Sequence, residues 1–224
     1  MLPRDEVIEG IDQELVGFAA LVGSLDEGDS VQPSRCEGWT ARDVAAHLIG
    51  AFADIPAGRI EGQGTPEVSE RQVAERNGRT VAELADECDE VRKVTRAMLA
   101  GIDDATWTQP APGGYDMTIG QAMESMWTGA YIHADDIRAA IGRPSERGPG
   151  LRASVLHVAD QLTDRGWGPV VLDLDGVDEI PVGDATRTSK ARRITGDPLA
   201  FLLAATGRGD PGPLGLDASV NVFA

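Results

Sequence analysis

The chain opens with apolar side chains at Val7, Ile8, Ile11, Leu15, Phe18 and Val22, separated by polar residues. That three-and-four spacing lines one stripe of a helix and predicts a first helix over 4–22. The stretch 24–39 is rich in Gly, Asp, Ser and Pro and predicts a long loop. Thr40 then has Asp43 three positions on, so each side chain can satisfy a free amide of the other, with Trp39 and Val44 flanking them as a hydrophobic staple. A second helix runs from there through Ala45, Leu48, Ala51 and Phe52 to about Pro56. Over 66–102 the apolar residues Val73, Val81, Leu84, Cys88, Val91, Val94, Met98 and Leu99 recur at helical spacing, predicting one long or kinked third helix with Asn77-Gly78 as its break. The segment 103–117, with Pro110, Pro112 and Gly113-Gly114, reads as loop. Thr118 with Gln121 repeats the capping-box pattern for a fourth helix ending near Gly142. Four amphipathic helices within 1–143 predict an antiparallel four-helix bundle.

At 142–150 (GRPSERGPG) the composition becomes that of a linker, and the periodicity changes after it, which predicts a smaller α+β domain over 151–224. A helix is expected over 151–165. Short strands are expected at Val170–Leu174, Ile180–Val182, 192–195 and, at the terminus, 219–223. Asp197-Pro198 reads as a helix start, with Pro in the first turn where its missing amide costs nothing, and Gly207 as the stop. The fold class is α+β overall.

Composition narrows the chemistry. Of 224 residues 42% are hydrophobic but only 4% aromatic, so the core must be built from Ala, Val, Leu and Ile. Thirty-seven acidic against twenty basic residues give a formal charge of −17. Such a charge repels phosphate backbones and anionic membrane surfaces, which disfavours nucleic acid and membrane as partners. With no apolar run of signal-peptide or membrane-spanning length, a cytoplasmic protein with a small-molecule substrate is expected. Cys36 and Cys88 lie in no metal-ligand or disulfide-framework spacing and are expected to be reduced, each packing as a small apolar residue.

Two of the three histidines fall on the apolar stripes. His47 shares the face of Val44, Leu48 and Ala51, and His133 that of Met126, Ala130, Ile137 and Ala140, so both point inward from the second and fourth helices. Facing histidines in a bundle core can hold a metal, since neutral imidazole is the commonest ligand for zinc and related ions. They can equally be hydrogen-bonded core residues, or His133 can serve a metal-free enzyme as a general base. A catalytic zinc normally has three protein ligands. One turn before His133 stands Gly129, which offers none. Asp136 has roughly the right face and is the candidate third ligand, although a charged residue there reads more readily as solvated or capping. Glu124 lies on the opposite face and His157 sits outside any motif.

The runs CEGWTARDVAAHLIG (36–50), IHADDIRAAIGRP (132–144) and ITGDPLAFLLAATGR (194–208) resemble the mycothiol-dependent maleylpyruvate isomerase family, within the DinB-like metalloenzyme superfamily. The resemblance spans nearly the whole chain. It implies a DinB-like bundle, a C-terminal domain similar to sterol-carrier-protein folds, and a divalent metal, usually zinc, held by a His, an acidic residue and a second His. His47 matches the first of these and His133 the last, while the acidic position is Gly129 here. It further implies mycothiol, the small thiol of actinobacteria, as co-substrate of an isomerase or S-transferase acting on a small electrophilic metabolite. With Gly129 the metal would be completed by water, by Asp136 or by an acid from another helix. Alternatively the chain is a non-catalytic small-molecule or protein-binding member that has lost the metal site. A homodimer is compatible with either.

Overall fold

The computed structural model describes residues 2–187 and 191–223, with the backbone alone at 186 and 187. Backbone contacts divide the chain into two compact units, 2–146 and 147–224. In the first, α1 (Arg4–Gly23), α3 (Ala41–Asp54), α5 (Val81–Ala100) and α7 (Ile119–Ala140) are the long helices. Each of α1 and α3 packs against both α5 and α7, closing a four-helix bundle. The predicted stripes are largely the packed faces: Val7, Ile11, Leu15, Phe18 and Val22 of α1, Val44, Leu48 and Phe52 of α3, and Ala130 and Ile137 of α7 are all buried, while Met126 and Ala140 of α7 are half-buried. No described helix is long and apolar enough to cross a membrane.

Helix starts are set by side chains that consume the free amides of the first turn. Thr40 with Asp43, Thr80 with Glu83 and Thr118 with Gln121 all form reciprocal capping boxes. The expected third helix is two: α4 (Pro66–Ala74), which packs on α3, and α5. They part around Asn77-Gly78, where Gly78 takes φ +84°, a left-handed conformation that a helix cannot continue through. The predicted loops carry short helical turns, α2 (Glu27–Ser30) and α6 (Asp104–Trp107), capped by Asp26 and Asp103.

In the second unit, α8 (Pro149–Asp164) begins two residues earlier than expected, on a proline in its first turn. A three-stranded sheet follows in the order β2-β1-β3, with β1 (Val170–Leu174) antiparallel to β2 (Ile180–Val182) and parallel to β3 (Arg192–Gly196). Helix α9 (Pro198–Ala205) packs on α8. The strand expected at 219–223 is instead a 3-10 turn, Ala218–Val220. Asp217 accepts from the Ser219 amide at 2.9 Å and Asn221 from the Phe223 amide at 3.0 Å, so side chains take the amides that a ladder would need.

Helices α1 and α7 meet so closely that side-chain volume decides the contact. A Cβ on Gly10 would stand 2.2 Å from the Trp127 ring, which is itself 2% exposed. Gly10→Ala gains about 1 kcal/mol of helix propensity but forces overpacking, and the expected net result is a loss of about 2 kcal/mol in denaturant titration. Beside this contact, burial pushes the Glu14 carboxyl up to about 7, outweighing the Trp127 indole hydrogen bond and Arg138, which pull it down. Between pH 4.5 and 7 the folded chain therefore holds a proton that the unfolded chain has released. Stability falls as pH rises through that window, and the deficit persists above it. Glu14→Gln, which can still accept from the indole, is expected to stabilise the protein by about 2 kcal/mol above pH 7 and by nothing measurable below pH 4.5, as read from thermal melts across pH.

Candidate metal centre

The capping box at Thr40 fixes the phase of α3 and places His47 two turns into it, while the box at Thr118 does the same for His133 on α7. The two rings meet with centroids 5.1 Å apart, edge to face. Trp39, just before α3, lies against His47 with centroids 4.9 Å apart. The inward phase of both histidines is as the stripes predicted. One turn along α7, Asp136 Oδ2 stands 3.2 Å from His133 Nδ1.

A third element reaches the same place. The segment before α3 folds into a tight turn in which Ser34 donates its amide to the Trp39 carbonyl at 2.9 Å, Trp39 donates to the Cys36 carbonyl at 3.0 Å and Cys36 donates to Ser34 Oγ at 3.1 Å. Gly38 at φ +80° permits the reversal. The turn presents Cys36 Sγ to Asp136 Oδ2 at 3.5 Å. Donor atoms of Cys36, His133 and Asp136 all lie within 4.8 Å of one another, whereas among the described residues His47 belongs to no such group of three. Neither Cys36 nor its neighbour Arg35 was singled out for the site from sequence. The signal available was that Cys36 opens the same motif run that carries His47. The expectation that Asp136 is solvated is overturned: it is 0% exposed, tucked behind His133 and Cys36. Cys36 is half-buried rather than packed as an apolar residue, whereas Cys88 is, with burial pushing its thiol up to about 12.

Electrostatics divide the residues by role. Burial, reinforced by His133, pushes His47 down to about 3, against weaker opposite pulls from Gln72 and Asp54. His47 is therefore neutral at physiological pH, the form that ligates metals. Its Nδ1 is buried without a hydrogen-bond partner. Gln72 donates to Asp54 at 2.7 Å, and Asp54 also accepts from Arg71, Gln63 and Arg59. Burial alone would raise Asp54, but these donors hold it below the usual carboxylate range. Gly129 lies one turn before His133, and a Cβ built there meets nothing within 4 Å. Other polar residues of α7 have separate duties: Glu124 is 4% exposed and accepts from the Leu2 amide, and Tyr131 donates to the Glu146 carbonyl at 2.6 Å. His157, in the second unit, contacts Gln161 at 2.8 Å.

The model of the mycothiol maleylpyruvate isomerase N-terminal domain matches residues 11–138, more than half the chain and the whole of this site. The chain belongs to the mycothiol maleylpyruvate isomerase family. Among solved structures, this family member is similar to the mycothiol-dependent maleylpyruvate isomerase (TM-score 0.65) and to a histidine-to-alanine variant of it (TM-score 0.64). Each is 17% identical, over 93% of this chain and 90% of the other, which establishes a shared fold. No curated protein matches the family member by sequence.

Asp135, 1% exposed, accepts from Arg35 Nη1 at 2.7 Å and leaves Oδ1 unpartnered. Removing the guanidinium strands a buried charge. Arg35→Ala is expected to cost about 2 kcal/mol, most of which Asp135→Asn restores in the double variant. A double-mutant cycle by denaturant titration, with a coupling of about 1 kcal/mol or more, checks this.

Proposed function

We propose that the chain is a metal-dependent, thiol-linked isomerase or S-transferase, acting on a small electrophilic metabolite such as maleylpyruvate with mycothiol or a thiol of its kind as co-substrate. The observation that carries this reading is the meeting of His47 and His133 beside a buried carboxylate and a thiol in a chain of this family. The residues fit a divalent metal. Two imidazoles sharing one ion, through bonds of about 2.1 Å at a tetrahedral angle, have ring centroids roughly 5 Å apart. Those of His47 and His133 stand at 5.1 Å.

His47 and His133 would hold the metal, with the third donor drawn from Asp136 and Cys36. A divalent ion bound there, zinc being the natural match to such donors, lowers the pKa of a thiol beside it. A thiol-linked cis–trans isomerisation needs a sulfur to add to a conjugated double bond, rotation about the single bond so formed, and expulsion of the same sulfur, with no net oxidation. The protein's part is to keep the site small and fixed. Asp136 orients the His133 ring, the Asp54 network anchors α4 against α3, and Trp39 covers one side of His47. Gly129 favours a second reading, a binding protein in which the site has been dismantled.

Elemental analysis of protein purified without a metal-affinity tag separates the two. About one metal per chain, lost in a His47→Ala, His133→Ala variant that keeps its helical circular dichroism, is the outcome expected of the enzyme. Metal absent from the native chain but present in Gly129→Glu would establish the binding protein instead.

A further inference from the structure

We propose that Cys36 is the third metal ligand of this chain, and that Asp136 is a positioning residue holding both Cys36 and His133 from behind. The inference rests on the metal reading above and deepens it. The acidic position that the family resemblance implies is Gly129, where a Cβ would meet nothing within 4 Å. A replacement donor must therefore come from elsewhere. The donor of the described cluster brought in by a loop is Cys36, and its turn is fixed by hydrogen bonds among Ser34, Cys36 and Trp39. A sulfur held by a fixed turn is pre-organised for ligation, since little freedom remains to be lost on binding.

Asp136 is differently placed. It is 0% exposed, and its oxygens are already engaged: Oδ2 lies 3.2 Å from His133 Nδ1 and 3.5 Å from Cys36 Sγ, and Oδ1 lies 3.7 Å from Arg35 Nη1. A buried carboxylate bonded to the ring nitrogen of a ligating histidine is the usual outer partner, which sets the ring orientation and raises ligand basicity. Cys36 is half-buried and carries the softer donor. Cys36 and His133 belong to the group of donors within 4.8 Å of one another, and His47, whose ring faces His133 at 5.1 Å between centroids, lies outside it. The His47 ring would have to turn toward the ion to complete three protein ligands, the number that leaves a position for an exogenous thiol. Asp136 as a fourth would close it.

Cobalt(II) in place of zinc reads the ligand directly, because a bound thiolate gives an intense near-ultraviolet charge-transfer band that nitrogen and oxygen donors do not. The native chain and Cys88→Ser are expected to show the band. Cys36→Ser should lose it and bind cobalt at least about ten-fold more weakly, whereas Asp136→Asn should keep it with affinity down about ten- to a hundred-fold. Cobalt bound to the native chain without the band overturns the inference, as does uptake abolished in Asp136→Asn but unchanged in Cys36→Ser. No metal uptake by the native chain overturns the metal reading itself and this inference with it. A measurement on the native chain guards against misfolded variants: zinc should slow iodoacetamide alkylation of Cys36, mapped by mass spectrometry, by about ten-fold or more. An unchanged rate with zinc bound refutes ligation by Cys36.

Discussion

Two imidazole rings standing edge to face at 5.1 Å inside a bundle demand that two helices keep their rotation and register to within a fraction of a turn. A residue slipped by one position on either helix would swing its ring by about 100° and break the contact. Everything that fixes α3 and α7 therefore serves this pair. Capping boxes define where both helices begin, and Gly10 lets α1 close onto Trp127 of α7 without a side chain between them. On the other side, α4 is tied to the end of α3 through Asp54, fully buried and surrounded by Arg59, Gln63, Arg71 and Gln72.

Buried ion pairs take on much of this registration because the core has so few large rings to interlock. Asp12 of α1, 8% exposed, is gripped by Arg92 at 2.8 Å and by Arg96, both on α5. Arg76, 5% exposed, meets Glu87 at 2.7 Å. Such pairs add little net stability once desolvation is charged against them, but a wrong register leaves a buried charge alone, which costs several kcal/mol. Their contribution is thus to penalise the alternatives. An aliphatic core without them could slide with a smaller penalty.

The helices were legible in the sequence because their determinants are local: periodic apolar residues and caps three positions apart. The break at Asn77-Gly78 was visible for the same reason, whereas 219–223 misled because its apolar residues outvoted Asp217 and Asn221, which take the amides that a strand would pair. His47 and His133 were legible from helix phase alone. Asp136 was legible as a candidate on the same ground, but its burial and the part of Cys36 were not, since they are made by a loop one hundred residues away in sequence from the acid. Burial of Asp136 depends on Arg35 and Cys36 arriving over it, and no periodicity on α7 encodes that arrival.

The same non-locality bears on what Gly129 means. In a site built from helix faces alone, losing an acid one turn before His133 would remove a donor that no other position on α7 can replace at the same angle. Under the ligation proposed above, the loop supplies sulfur from a different direction, while a Cβ at Gly129 would meet nothing within 4 Å. Exchanging a carboxylate for a thiolate also changes the character of the centre, because sulfur donates more charge to a borderline ion than oxygen does and so moderates its pull on an incoming thiol. A site built in this way would favour a co-substrate that is itself readily ionised.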